Sequence, residues 1–231
     1  MVGQVQQKEF DAFVQPVGAW ITAAKVQMDP SNPEILRFES GSDCLVNGVN
    51  GSAKYLVTKK AYQDIECHIE FMLPKGSNSG IYFQCRYEIQ LFDSWGATDL
   101  TFYDCGGIQN RWDESRPEGE KGFDGFPPMV NACKAPGEWQ SLDIVFRAPE
   151  FNSKGAKIEN ARFEKVVLNG VLVQENAELS GPTKGALSET EVAWAPFRLQ
   201  GGHGPVAFRN IRVRELDDSS DSKPNKWEHL F

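Results

Sequence analysis

NSGIYFQCRYEIQLFDSW, residues 78–95, is the segment in which two classes of side chain alternate most regularly. Successive side chains of a β-strand point to opposite faces, so each class is predicted to lie on one face of a sheet. The odd positions are mostly apolar and are predicted to face a core: Ile81, Phe83, Cys85, Tyr87, Ile89 and Leu91. The even positions carry planar hydrogen-bonding groups: Tyr82, Gln84, Arg86, Glu88 and Gln90. We expect the even positions to form a wet, concave face.

The even face has two interpretations. Two amides, a guanidinium, a carboxylate and a phenol suit a ligand with many hydroxyl groups, whereas a plain solvent face usually carries Lys, Thr, Ser and Glu. The alternative is an ordinary antiparallel strand with one face toward solvent and no ligand. The pattern alone leaves both interpretations open.

The remaining sequence predicts many short strands. Asn169-Gly170 separates two β-branched runs within residues 162–174, which is typical of a hairpin with a type I′ turn. Residues 96–137 lack periodicity, and a loop of that length in a compact domain often carries function. Since no long segment has the helical period, the sequence predicts an all-β sandwich or barrel.

Length and charge narrow the class of protein. The 231 residues suit a single β domain, with a core at about 34–216, an N-terminal segment at 1–33 and a polar tail at 217–231. The formal net charge is −8 and the 24 basic residues are scattered, so nucleic acid is not an expected partner. No apolar run approaches the ~20 residues of a membrane helix, so no membrane span is predicted.

The cysteines and the N-terminus bear on the compartment. Five cysteines, scattered without CxxC spacing, make a zinc site improbable and leave at least one thiol free within the chain. One or two disulfides stay open if the protein is exported. The N-terminus shows no secretory signal, so a periplasmic or extracellular location requires that such a segment has been removed.

Five motifs in this order resemble the 3-keto-disaccharide hydrolase domain family: NSGIYFQCRYEIQLFDS, CGGIQNRW, GEWQSLDIVFR, VVLNGVLV and FRLQGGHGPVAFRNIRVREL. The resemblance covers roughly residues 34–216. It implies a concanavalin A-like jelly-roll sandwich of two antiparallel sheets, as in lectins and glucanases. It also implies a bacterial protein with a carbohydrate partner, because members of the family act on or bind oxidised or plain sugars.

A carboxylate pair is the first catalytic candidate. Glu88, Gln90 and Asp93 resemble the E-x-D-x-x-E strand of laminarinases and lichenases, in which two glutamates flank the glycosidic bond. Retaining hydrolysis needs two carboxylates about 5 Å apart. The odd offset between Glu88 and Asp93 places them on opposite faces unless a bulge intervenes. An endo-glucanase acting on unmodified glycan therefore stays an alternative.

A 3-keto sugar offers a second route, because the ketone acidifies the hydrogen on C2. Glu88 is our candidate general base, and Arg86 or His203 is the candidate partner of the enolate oxygen. A divalent cation bound by Glu88, Asp93 and His203 is a further possibility for the same task. The main hypothesis is thus an enzyme that cleaves 3-keto glycosides, and its rival is a non-catalytic, lectin-like carbohydrate-binding module.

The candidate substrate-binding residues are aromatic or polar. Three aromatic side chains are candidates for stacking on sugar rings: Tyr82, Trp95 and Trp112. Five polar side chains are candidates for hydrogen bonds to hydroxyl groups: Gln84, Gln90, Gln109, Lys134 and Gln200. The 96–137 loop leaves the sheet beside Asp93, so we expect it to form a wall of the site with Gln109 and Trp112 facing the ligand.

Overall fold

The computed structural model describes residues 10–14, 17–48, 50–216 and 226–231, and this part of the chain contains strands and no helix. The strands are β1 Ile21–Met28, β2 Leu36–Val46, β3 Tyr55–Tyr62, β4 Ile65–Met72, β5 Asn78–Phe83, β6 Tyr87–Phe92, β7 Arg111–Trp112, β8 Gly122–Phe123, β9 Gln140–Arg147, β10 Glu150–Phe151, β11 Lys157–Glu159, β12 Ala161–Leu168, β13 Val171–Leu179, β14 Ala195–Gln200, β15 Ala207–Glu215 and β16 Glu228–His229. In the described ranges no helix is long and apolar enough to cross a membrane.

Two antiparallel sheets make up most of the fold. The larger sheet has the order β1-β2-β15-β4-β9-β12-β13, with β16 paired to β15. The smaller sheet has the order β3-β14-β5-β6. The chain passes repeatedly from one sheet to the other, for instance from β2 to β3, β4 and β5. This confirms the predicted all-β jelly-roll sandwich.

One apolar core joins the inner faces of the two sheets. Phe83 of the smaller sheet packs against Phe146 and Phe163 of the larger sheet, with ring centroids 5.1 and 5.2 Å apart. Phe83 also meets Phe197 of β14 edge-to-face at 5.5 Å. Offset and edge-to-face arrangements of this kind are favourable beyond the area that they bury.

The hairpin of β5 and β6 fixes which side chains face this core. Its cross-strand partners include Ile81 with Ile89 and Tyr82 with Glu88. Partners therefore share parity, and the odd positions face the core as predicted, because Ile81 and Ile89 are fully buried in the apolar cluster. The three-residue connection begins at Gln84, whose φ of 52° is left-handed.

Two features of this hairpin differ from the prediction. The alternation does not run through Gln84, Cys85 and Arg86, which form the turn rather than strand, with the Arg86 N–H donating to the Phe83 carbonyl at 2.9 Å. The even face is also not wet. Its strand residues Tyr82, Glu88 and Gln90 are each at most 2% exposed, since other segments of the chain cover them.

Elsewhere the hairpin at Asn169-Gly170 is present, with left-handed φ values of 53° and 82°. β1 was not anticipated, and it adds residues of the N-terminal segment to the larger sheet. The sequence placed the polar tail at 217–231. Of this tail, residues 217–225 lie outside the described part of the chain, while Leu230 packs into the core.

Candidate active site

Three polar side chains form a row across the smaller sheet. Arg198 of β14 pairs with Tyr82 of β5, and Tyr82 pairs with Glu88 of β6. The adjacent pair, Leu199 and Ile81, points into the core, so the polar row lies on the opposite face. Antiparallel pairing thus places a guanidinium, a phenol and a carboxylate side by side.

Glu88 is a carboxyl group almost without contact with water, at 2% exposure. Its Oε2 accepts a hydrogen bond of 2.5 Å from Tyr82 Oη. Burial raises the pKa of Glu88 to about 8, because a charged carboxylate loses its hydration; the Tyr82 hydrogen bond and the Arg198 charge oppose this rise and only reduce it. Glu88 therefore exchanges its proton near neutral pH.

The absence of a side chain at Gly80 makes room for this carboxyl group. Gly80 lies opposite Gln90 in the hairpin, one pair away from Tyr82 and Glu88. A Cβ at Gly80 would lie 2.1 Å from Glu88 Oε1. Any larger residue would displace the carboxylate from its position over the strand.

Arg198 is fully buried and lies between two tyrosine rings. The guanidinium carbon is 3.5 Å from the Tyr82 ring centroid and 4.4 Å from that of Tyr55. Its Nη2 donates to the Gly185 carbonyl at 2.8 Å. Its Nε and Nη1 have no hydrogen-bond partner among the described residues. Because unpaired buried donors are costly, these two groups are suited to bind an oxygen of a ligand.

Amide side chains border the row on one side. Gln90 Nε2 donates to Asn78 Oδ1 at 2.7 Å. Gln109 Nε2 lies 3.4 Å from Gln90 Oε1, and Gln200 Nε2 lies 3.4 Å from Tyr82 Oη. These long contacts leave donor capacity that a hydroxylated ligand could use.

Two segments, which we call the wall (residues 106–112) and the strap (residues 183–187), line the outer edge of β6. In the wall, the Gln109 N–H donates to the Glu88 carbonyl at 3.1 Å. In the strap, Thr183 Oγ1 accepts from the Glu88 N–H at 3.1 Å. A Cβ at Gly185 would lie 2.6 Å from Tyr82 Oη. The strap therefore covers the phenol closely.

The wall and the strap meet at an aromatic surface. The ammonium of Lys184 lies 3.9 Å from the centroid of the Trp112 ring, and Trp112 Nε1 donates to Glu114 at 2.7 Å. Trp112 is 37% exposed. The predicted wall from the 96–137 loop is thus present, with Gln109 against the polar row and Trp112 at its outer end.

The structure brings together five of the predicted residues, namely Tyr82, Glu88, Gln90, Gln109 and Gln200. It does not bring Arg86 or Gln84 into the row, because both serve the turn. Arg86 donates to the carbonyls of Thr190 and Gln84, and Gln84 donates to those of Tyr62 and Ala193.

Other predicted residues also lie apart from the row. Asp93 accepts the Gly76 N–H at 2.9 Å, and His203 is exposed in a turn whose Gly202 N–H donates to another loop. Lys134 Nζ donates to the Trp139 carbonyl at 3.1 Å. Trp95 is 63% exposed in a turn after β6.

The predicted cation ligands are not assembled. Over the part of the chain that the structure describes, no three side chains of His, Cys, Asp or Glu are grouped so that they could hold a metal ion. Glu88, Asp93 and His203 all belong to that part. The positive charge nearest to Glu88 in effect is instead Arg198.

Arg198 is the residue that sequence reasoning missed. A signal was present, since FRLQ at 197–200 alternates apolar and polar residues. Its parity alone would have placed Arg198 and Gln200 on the polar face. The sequence gave no indication that β14 lies beside β5, and only this pairing brings Arg198 to Tyr82.

Comparisons with known proteins agree with this architecture. Residues 9–214 match a family described as 3-keto-alpha-glucoside-1,2-lyase-like domain, and no match was found among curated proteins. Among solved structures, a proposed glycosyl hydrolase from Parabacteroides distasonis is similar with a TM-score of 0.60 and 26% identity, covering 90% of this chain and 82% of that chain.

Two further structures of proposed glycosyl hydrolases from the same organism share the fold. One has a TM-score of 0.52 and 21% identity, and covers 85% of this chain and 99% of its own. The other has a TM-score of 0.52 and 15% identity, and covers 93% of this chain and 97% of its own.

Proposed function

Because this chain belongs to the 3-keto-alpha-glucoside-1,2-lyase-like domain family, we propose that it is an enzyme that cleaves 3-keto glycosides at the row of Arg198, Tyr82 and Glu88. The family and its structural relatives make it a carbohydrate-processing protein. The single observation that carries the finer proposal is a buried carboxyl group with a pKa of about 8 beside a buried, incompletely paired arginine.

Glu88 is the general base of the proposed reaction. A ketone at C3 acidifies the hydrogen on C2, and a carboxylate at that carbon can take the proton while the electron pair forms an enolate. A base whose pKa lies close to the working pH combines sufficient basicity with a useful ionised fraction. A pKa of about 8 meets this requirement better than the 4.5 of an ordinary glutamate.

Arg198 is the group that stabilises the enolate oxygen. The negative charge develops on the C3 oxygen, and the free Nε and Nη1 donors of Arg198 are held rigidly by the Tyr55 and Tyr82 rings. Donors that are already oriented in a site without water stabilise such a charge strongly. Arg198 thus takes the role that the sequence had suggested for Arg86, His203 or a divalent cation.

Collapse of the enolate then cleaves the glycosidic bond. The C3 carbonyl re-forms, the electron pair between C2 and C3 moves to C1–C2, and the C1–O bond breaks. The departing oxygen takes one proton, which the Glu88 carboxylic acid can return. Addition of water across C1–C2 yields the free 3-keto sugar, so elimination and hydration together amount to hydrolysis.

The site does not suit the retaining mechanism of an endo-glucanase. That mechanism requires a second carboxylate about 5 Å from the first. Asp93 follows β6 five residues after Glu88, about 16 Å along an extended strand, and its Oδ2 binds the Gly76 N–H. No carboxylate contributes to the pKa shift of Glu88.

Product analysis after incubation with a 3-keto disaccharide, beside its unoxidised parent, tests the proposal. We expect release of the aglycone sugar from the oxidised substrate only. Glu88→Gln should abolish turnover while affinity stays within about tenfold, because the base acts in the transition state. Activity should also survive treatment with a chelator, whereas its loss would assign the enolate to a divalent cation.

Two outcomes would reject the proposal. Binding of the 3-keto disaccharide without any turnover would make the protein a carbohydrate-binding module. Cleavage of the unoxidised parent would make it an ordinary glycosidase. Lys134→Gln is a suitable control variant, since Lys134 is bonded to Trp139 rather than to the polar row.

A further inference from the structure

Two cysteines mark the ends of the segment that contains the wall. The Cys105 N–H donates to Ser94 Oγ at 3.0 Å. The Cys133 sulfur lies 3.7 Å from the Phe92 carbonyl oxygen, and its neighbour Asn131 donates to the Ser94 carbonyl at 2.7 Å. The chain therefore leaves the end of β6 and returns to the same place.

The two thiols contact each other at this point. A hydrogen bond joins the Cys105 and Cys133 side chains. Cys105 is buried, whereas Cys133 is partly exposed. The five cysteines are all free thiols in the structure. This pair is thus close enough to bond, and one of its members is accessible from solvent.

The environment divides the labour between the two sulfurs. The hydrogen bond from Cys105 lowers the pKa of Cys133 to about 7, and the same bond raises the pKa of Cys105. Gln140 Nε2 lies 3.6 Å from the Cys133 sulfur and can donate to its thiolate. Burial raises the pKa of Cys85 to about 11. At neutral pH Cys133 is therefore the nucleophilic thiol.

We propose that Cys105 and Cys133 form a reversible disulfide that fixes the wall of the site. The oxidant is a small disulfide such as oxidised glutathione. The Cys133 thiolate attacks one of its sulfurs and expels one glutathione thiolate. Cys105, after losing its proton, attacks the Cys133 sulfur and expels the second. Two cysteine thiols are oxidised to one disulfide, and one glutathione disulfide is reduced to two thiols.

The bond would close a loop that contains residues 106–112. This segment supplies the main-chain groups that pair with β6 and carries Gln109 beside Gln90. Closing a loop removes conformations from the unfolded and locally opened states. The oxidised protein should hold the wall more firmly against β6 than the reduced protein does.

Thiol mapping tests this proposal without any substrate. The reduced protein is equilibrated in glutathione buffers of increasing oxidised fraction, alkylated in denaturant and analysed by mass spectrometry. We expect peptides of Cys105 and Cys133 to become cross-linked while Cys44, Cys67 and Cys85 are alkylated. Hydrogen exchange of residues 106–112 should be slower in the oxidised form, and Tm should be higher.

Two variants serve as matched tests. Cys133→Ser should form no cross-link, and Cys44→Ser, which removes a buried cysteine outside the pair, should form it as the wild type does. Alkylation of all five cysteines in the most oxidising buffer would overturn the proposal, as would a stable adduct of glutathione on Cys133. Unchanged hydrogen exchange after cross-linking would overturn the link to the wall.

Discussion

The carboxyl group of Glu88 lies over the backbone of Gly80, so that a Cβ at position 80 would come within 2.1 Å of Oε1. Gly80 is therefore required for the placement of the proposed base rather than for turn formation. The Gly80→Ala variant should move the carboxylate away from Tyr82 Oη. Since a misplacement of about 1 Å can cost about 100-fold in rate, we expect kcat/KM to fall by about that factor.

A second glycine variant controls for backbone effects. Gly155→Ala places a methyl group in open space in a turn remote from the row, at a left-handed φ of 78°. It should lower stability slightly and leave kcat/KM unchanged. Wild-type kinetics in a folded Gly80→Ala protein would show that the carboxylate position does not matter for activity.

The buried Glu88 should make stability depend on pH. Its pKa is about 8 when folded, against 4.5 for an ordinary glutamate. Between these values the folded protein holds a proton that the unfolded chain releases. The free energy of unfolding should therefore fall as pH rises from 4.5 to 8, by at most about 1.4 kcal/mol per pH unit from this group.

Glu88→Gln should remove this contribution. Urea unfolding of both proteins across the pH range measures it, and the difference between them isolates Glu88 from other titrating groups. The two proteins should be most alike below pH 4.5, where the carboxyl group is protonated in both states. A wild-type to variant difference that stays constant with pH would contradict the raised pKa.

Arg198 should set both the rate and its pH dependence. The kcat/KM of the wild type should rise with pH through about 8 as Glu88 ionises. Arg198→Met removes a charge that lowers the pKa of Glu88, so the midpoint should move to higher pH. Loss of the enolate donors should also lower kcat by about 100- to 1,000-fold.

Arg86→Lys is the matched control for Arg198. Arg86 binds main-chain carbonyls in the turn and does not contribute to the pKa shift of Glu88. Its replacement should lower stability without moving the midpoint of the pH profile. A shift with Arg86→Lys and none with Arg198→Met would reverse our assignment of the two arginines.

Trp112 should contribute to substrate binding at the outer end of the wall. Lys184 occupies one side of its ring, and the exposed part is available to the apolar face of a pyranose. Trp112→Ala should lower affinity or kcat/KM about tenfold or more, corresponding to at least ~1.4 kcal/mol. Steady-state kinetics or calorimetry measures this change.

Two further variants separate stacking from general effects on folding. Trp112→Phe keeps an aromatic face and should recover most of the loss. Trp194→Ala removes a tryptophan that is 54% exposed next to β14 and should change little. Equal effects of Trp112→Ala and Trp112→Phe would remove the argument for stacking.

Local patterns predicted the elements whose causes are local. Asn169-Gly170 specifies its hairpin because both residues adopt left-handed φ values at small cost. The turn at Gln84 and Cys85 was not anticipated, since neither residue favours the positive φ that it adopts there. This turn lies where the sequence suggested continuous strand, and it converts Gln84 and Arg86 from candidate ligands into turn residues.

The sequence by itself determined which face each residue of β5 and β6 occupies, because side chains alternate in a strand and the cross-strand partners share parity. Only the tertiary structure decided that Arg198 completes the row with Tyr82 and Glu88, and that the strap buries it. Strand order and coverage depend on contacts between residues far apart in the chain, which no local periodicity encodes. The raised pKa of Glu88 follows from that burial and not from its sequence neighbours.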